Sequence, residues 1–262
     1  MVQKNETDLD RFRLIQDVLK ADKEELFQYL QELKDEALLA VLRNPALDEN
    51  HLLTMLKRKG LGGEFAVSLY RSSHHLESYK VAFATACHPE TPIHIAQTLF
   101  PRFYIFDLLK VCFIPGIAPD LRVLAERRII QQLPTQPLGS KITLARRGTP
   151  AVIEALLMEG APAVVEICLF NPRLREGAVH QFISSHHSTA ETISMVARSD
   201  RWKHRPNIRL AILKNPRTPG VWFTLFLLAL SSRAIKELLT VQRLTPAQKE
   251  LLRKALRDRG AV

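Results

Sequence analysis

The 262 residues carry 37 lysines and arginines against 27 aspartates and glutamates, a formal net charge of +10, with 46% hydrophobic residues and ten glycines. Three scattered cysteines, Cys87, Cys112 and Cys168, exclude a disulfide-stapled framework, and the longest apolar run, Val221 to Leu230, spans ten residues, about half a membrane helix. What is left is a chain expected in a reducing, cytoplasmic compartment, with a basic balance that favours an acidic partner.

The opening stretch, MVQKNETDLDRFRLIQDVLK, holds Glu6, Asp8 and Asp10 and no apolar run, so it lacks the basic start and hydrophobic core of a secretory signal. Residues 1–34 are read as a helical cap. The first punctuation follows at RNPALD, Arg43 to Asp48, where Pro45 bars its predecessor from helical geometry and stops a helix. In GLGGEFAV, Gly60 to Val67, the string resembles the signature of diguanylate cyclases but lacks one acidic residue and its β-hairpin. Gly62-Gly63 therefore reads as one helix ending and another beginning. Two SSHH tetrads, at Ser72 to His75 and Ser184 to His187, offer adjacent histidines without a completing ligand at metal spacing. They read as turns whose serines cap the next helix.

The same punctuation recurs along the chain. ACHPETPI, Ala86 to Ile93, pairs Pro89 with Thr91-Pro92, and FIPGIAPD, Phe113 to Asp120, repeats the pattern with one extra residue. RRGTPAVIEALL starts a helix at Thr149-Pro150 after Gly148, FNPRLR, Phe170 to Arg175, keeps only the stop, and LAILKNPRTPGVWFTLF has Asn215-Pro216 then Thr218-Pro219. Threonine before proline suits the N-cap and first helical positions. QRLTPAQKELL ends the series, with Thr245 and Gln248 spaced for a capping box. Stops at Pro45, Pro89, Pro115, Gly148, Pro172 and Pro216 lie 44, 26, 33, 24 and 44 residues apart, the range of helical repeats that bury their apolar faces only by stacking. No stretch alternates as a strand would. The expected fold is an all-α solenoid of degenerate helical hairpins, with repeats over residues 35–244 and a basic capping helix over residues 245–262, as one continuous domain.

The string IRLAILKNPRTPGVWFTLF, with weaker echoes in LLAVLRNPALDENHLL and VEICLFNPRLREGAVHQFI, resembles the leucine-rich-repeat variant unit, a bacterial relative of the HEAT-like repeats. That resemblance implies a short helix ending in Asn-Pro, then Thr-Pro and a second helix. One member of that family holds an iron–sulfur centre on a cysteine cluster; no such cluster exists here, and neither a cofactor nor a metal is expected. HEAT-like solenoids also include alkylpurine DNA glycosylases with tryptophans and an acid in a basic groove. Trp202 and Trp222 match no version of that motif.

Residues 199–262 hold 14 lysines and arginines against four acids, while residues 1–198 hold 23 of each. The densest part, SDRWKHRPNIRL, sets Arg201, Lys203 and Arg205 around Trp202, followed by Arg209, Lys214 and Arg217. These seven residues are the candidate surface for an anionic partner, since guanidinium groups beside an aromatic ring suit phosphate contact and base stacking. The competing reading is a solvated inter-helix loop with Trp202 folded onto the neighbouring repeat. No catalytic motif is present, and no catalytic residue is assigned. Asp107 and Glu154 are lone acids, and Cys112 reads as a core residue. The expected function is a non-enzymatic scaffold whose concave surface binds a protein partner. The alternative is a nucleic-acid-binding protein using the basic C-terminal quarter. The helix at Val221 to Leu230 is expected in the core, or against a partner or second copy.

Overall fold

The computed structural model describes residues 12–32, 35–58 and 60–260, and among them every regular element is helical. The chain divides into two compact units, residues 1–129 and 130–262. In the first lie helical residues 12–20 (α1), then Lys23–Glu32 (α2), Asp35–Val41 (α3), Glu49–Met55 (α4), Gly63–Arg71 (α5), Tyr79–Cys87 (α6), Ile93–Leu99 (α7) and Ile105–Phe113 (α8). Helix α9, Pro119–Gln132, runs across the division. The second unit holds Leu138–Arg147 (α10), Pro150–Glu159 (α11), Pro162–Phe170 (α12), Glu176–Ser184 (α13), Ala190–Arg198 (α14), Pro206–Lys214 (α15), Gly220–Leu227 (α16), Ser232–Leu239 (α17) and Pro246–Arg257 (α18). No helix among the described residues is long and apolar enough to cross a membrane.

Short helices of this kind are not stable alone and depend on packing. In the second unit α10 packs on α12, α11 on α13, α12 on α14, α13 on α15 and α16 on α18, while α17 packs on its immediate neighbour α18. The apolar residues are spaced for this. Helix α11 buries Val152, Ile153, Leu156 and Leu157, and α12 buries Val164, Val165, Cys168 and Leu169, one stripe per helix at successive turns. In the first unit α2 packs on α4, α4 on α6 and α3 on α5.

The punctuation works as expected at some joints and differently at others. Thr149 accepts a hydrogen bond from the Val152 N–H with Pro150 in the first turn, and Thr245 and Gln248 form the capping box. At Thr91-Pro92 and Thr218-Pro219 the proline, not the threonine, is the N-cap. There the hydroxyls turn backward: Thr91 donates to the Thr85 carbonyl at 2.6 Å and Thr218 to the Ile212 carbonyl at 2.5 Å. Both carbonyls belong to the last turn of the preceding helix, where each also accepts the backbone N–H of the C-cap residue, His88 or Asn215. The SSHH serines likewise cap nothing ahead of them; Ser78 caps α6 and Thr189 caps α14. Gly62 is the N-cap of α5, and the preceding turn takes its left-handed residue at Gly60, φ +82°, where glycine avoids the Cβ clash.

The apolar run at 221–230 is not simply core. Phe223, Phe226 and Leu227 are buried, but Val221, Leu225 and Leu228 are 60%, 50% and 75% exposed. A helix apolar all round has been placed at a surface.

Candidate functional site

Every helix leaves its last carbonyls without intrahelical donors. In this chain, side chains from 23 to 33 residues further on supply many of them. The Asn44 amide donates to the Val18 and Ala21 carbonyls at 2.6 and 3.0 Å, while its oxygen accepts the Ala46 N–H. Asn171 does the same to Ala145 and Arg146 and accepts from the Arg173 N–H. Asn215 donates to the Ile183 carbonyl and the Ser188 hydroxyl and accepts from the Arg217 N–H. At the fourth such joint His88 replaces asparagine. Its Nε2 lies 3.0 Å from the Arg58 carbonyl and its Nδ1 accepts the Glu90 N–H at 3.2 Å, so the ring is the Nε2–H tautomer, one donor and one acceptor. All four side chains are buried. A residue before proline is held extended, which turns its side chain back toward the earlier segment.

Arginines reinforce these links. Arg173 and Arg217, each two residues beyond an Asn-Pro asparagine, donate to Arg147 and Gly148 and to His186 and Ser188 carbonyls respectively. Arg201 donates to the carbonyls of Asn171, Pro172 and Leu174, and Arg259 to those of Leu227, Leu228 and Leu230. In each case a guanidinium meets the negative end of a helix or the turn just past it. The N-P-R triplet at 171–173 and 215–217 was the available sequence signal for this clamp.

The seven candidate anion-surface residues are therefore distributed among different duties. Trp202 is 2% exposed, its indole N–H donates to the Leu169 carbonyl at 3.0 Å, and the Arg201 guanidinium lies 4.4 Å from its ring centre. Its faces are not free to stack on a base. Lys203 pairs with Asp200, and Arg205 lies 3.7 Å from Glu176. Arg209 donates to the Lys203 carbonyl and sits 5.7 Å from the Phe226 ring centre. Arg217 is occupied as above. Lys214 is exposed and lines a shallow cleft of about 230 Å³ with Arg243 and Ser184. Arg201, Trp202 and Arg217 thus act as connectors between segments 27 to 33 residues apart.

The lone acids are also spoken for. Arg175 grips Glu154 through two hydrogen bonds, at 2.5 and 2.7 Å. Asp107 accepts from the Tyr79 hydroxyl at 2.6 Å and from Lys110 at 2.7 Å. Partial burial raises the Asp107 pKa, but the hydrogen bonds from Lys110 and Tyr79 outweigh it and hold the carboxyl below its ordinary value. Burial first, and the Asp107 hydrogen bond second, push Tyr79 up to about 12. Because the folded state favours the Asp107 carboxylate, its contribution is complete above the ordinary carboxyl pKa of about 4 and is lost as pH falls through the lowered folded value. Asp107→Asn is expected to be destabilising near neutrality by about 1 kcal/mol, with the gap to the parent closing in melts below about pH 4. A gap constant between neutral and acid pH would refute this assignment.

Burial pushes Cys87, Cys112 and Cys168 up to about 12 each, so little thiolate exists at neutral pH. All three are expected to resist Ellman's reagent in the native protein and to react together on unfolding. A thiol that reacts within seconds under native conditions would contradict this. His74 stacks on His75, and His186 on His187, with ring centres 3.7 and 3.9 Å apart. No group of three or more metal-ligating side chains occurs among the described residues. No protein-family model, characterised protein or solved structure matches the chain.

Proposed function

We propose that this chain is a non-enzymatic helical-repeat scaffold, an α-solenoid of the HEAT-like or leucine-rich-repeat-variant kind, whose concave surface holds a protein partner. The observation that carries the reading is the recurring link through Asn44, His88, Asn171 and Asn215, each tying a proline stop to a segment 23 to 32 residues earlier. A side-chain link repeated at that interval is what a stack of equivalent hairpins requires. The alternate packing of α10 to α15 within the second unit supports the same reading. In such a stack residues 1–34 and 245–262 are the end caps, and its place is the cytoplasm. Four of the nine arginines of the C-terminal quarter, Arg201, Arg209, Arg217 and Arg259, donate to backbone carbonyls, which counts against their gripping phosphates.

The test is affinity capture with the full chain in physiological salt after nuclease digestion, followed by mass spectrometry. A protein retained reproducibly supports the scaffold. Retention only of nucleic acid, abolished by nuclease and by raised salt, would move the basic quarter to first place, since phosphate contacts weaken steeply with salt.

A further inference from the structure

We propose that the cleft between α16 and α18 is the docking site for an amphipathic helix of a protein partner, apolar on one face and acidic around it. This rests on the scaffold reading and gives it an address.

Helix α16, GVWFTLFL, contains no charged residue. Its buried side is completed by Phe223, Phe226 and Leu227, while Val221, Leu225 and Leu228, at i, i+4 and i+7, form one exposed apolar row. Helix α18 contributes a matching second face. Leu252 and Leu256 go into the core, whereas Leu251 and Ala255 are half-buried and line a cleft of about 380 Å³ together with Leu227 and Leu228. The core takes the row of Leu252 and Leu256, and Ala247, one turn before Leu251, is exposed. The cleft and the exposed row meet at Leu228, giving the continuous apolar surface that a helix-in-groove partner reads with side chains spaced at i, i+3 or i+4, and i+7.

The charge around the cleft selects the occupant. Lys254 and Arg259 line it, with Asp258 as the one acid. Arg259 closes the end of α16 by donating to the Leu227, Leu228 and Leu230 carbonyls. Glu250 is already shared by Arg253 and Arg257, and Lys236, Lys249 and Lys254 have no carboxylate partner among the described residues. A second copy meeting this face through the same face would bring two strongly basic quarters together, which long-range repulsion opposes. A flat bilayer touches the protruding Val221, Leu225 and Leu228 but does not reach Leu227, which is 4% exposed. An acidic helix satisfies both the cleft and its field.

The experiment is selection of a displayed library of amphipathic helical peptides, roughly 15–20 residues long, against the full chain. Selected peptides are then titrated by fluorescence anisotropy against the parent, Leu228→Glu, Lys254→Glu and, as an exposed apolar control elsewhere, Leu138→Glu. Because residues 228, 254 and 138 are all exposed, unchanged melting confirms folding. The expected result is enrichment of acidic helices, at least about tenfold weaker binding to Leu228→Glu, a several-fold loss with Lys254→Glu, and no change with Leu138→Glu. Enrichment of basic or neutral helices, or of none, overturns the proposal. So does binding indifferent to Leu228→Glu, a dimer in sedimentation that Leu228→Glu abolishes, or sedimentation with phosphatidylserine vesicles that depends on Leu228. If nuclease-treated capture retains the same protein on Leu228→Glu as on the parent, the cleft is wrong and the scaffold stands; if the parent retains none, the scaffold itself has failed.

Discussion

Trp202→Ala is expected to destabilise the second unit by about 3–5 kcal/mol, as for other deletions of a buried large aromatic side chain. The ring is 2% exposed and its N–H is the donor to the Leu169 carbonyl in the last turn of α12, so the variant opens a cavity and orphans a carbonyl together. At roughly 2–4 °C per kcal/mol for a chain of this size, melting falls by about 6–20 °C. Trp202→Phe separates the two contributions, keeping most of the packing and losing the hydrogen bond, for about 1–3 kcal/mol. A tryptophan that served base stacking instead would leave the melt of Trp202→Ala within about 1 °C of the parent and lower nucleic-acid affinity.

The second large effect is at the asparagine links. Asn215→Ala removes the donor to the Ile183 carbonyl and Ser188 hydroxyl and the acceptor for the Arg217 N–H, at a site only 8% exposed. The expected cost is about 2–4 kcal/mol, because buried partners are left unsatisfied rather than returned to water. The Gln248 amide donates to the backbone carbonyls of residues 215, 216 and 218, so the same turn also seats α18. At the corresponding link His88→Ala is expected to be costly and His88→Asn close to neutral, since asparagine supplies the same donor and acceptor. Equal losses for the two His88 variants in chemical denaturation would show that the ring matters for its bulk alone.

Much of the helical punctuation was legible in the sequence because proline acts locally. Pro150 and Pro246 after threonine mark helix starts, as found. The same dipeptide at Thr218-Pro219 behaves otherwise: the hydroxyl donates to the Ile212 carbonyl six residues back instead of capping the helix ahead. Local pattern does not rank those two options. The partners of Asn44, Asn171 and Asn215 were hidden for a different reason: a bond across 23 to 32 residues depends on which helices lie side by side. Trp202 sits in a turn with no periodicity to phase it, so the sequence left two readings open, a ring free to stack on a base and a ring folded inward; the ring is 2% exposed, and a cluster of arginines around it looked alike whether it faced solvent or carbonyls. The exposed row on α16 was obscured because the helix is apolar on every side, which gives no direction to the core.

The measurement that bears most directly on the central claim, that Arg201 and Arg217 hold neighbouring segments together rather than contact phosphates, is the thermal unfolding of an Arg201→Gln, Arg217→Gln double variant with and without a short DNA or RNA oligonucleotide. Each guanidinium donates to backbone carbonyls 27 to 31 residues earlier, bonds worth about 1–3 kcal/mol per charged donor. The account predicts melting lowered by several degrees without nucleic acid and no further change on adding it at physiological salt. An unshifted melt for the free variant, together with loss of a stabilisation that nucleic acid confers on the parent, would contradict it.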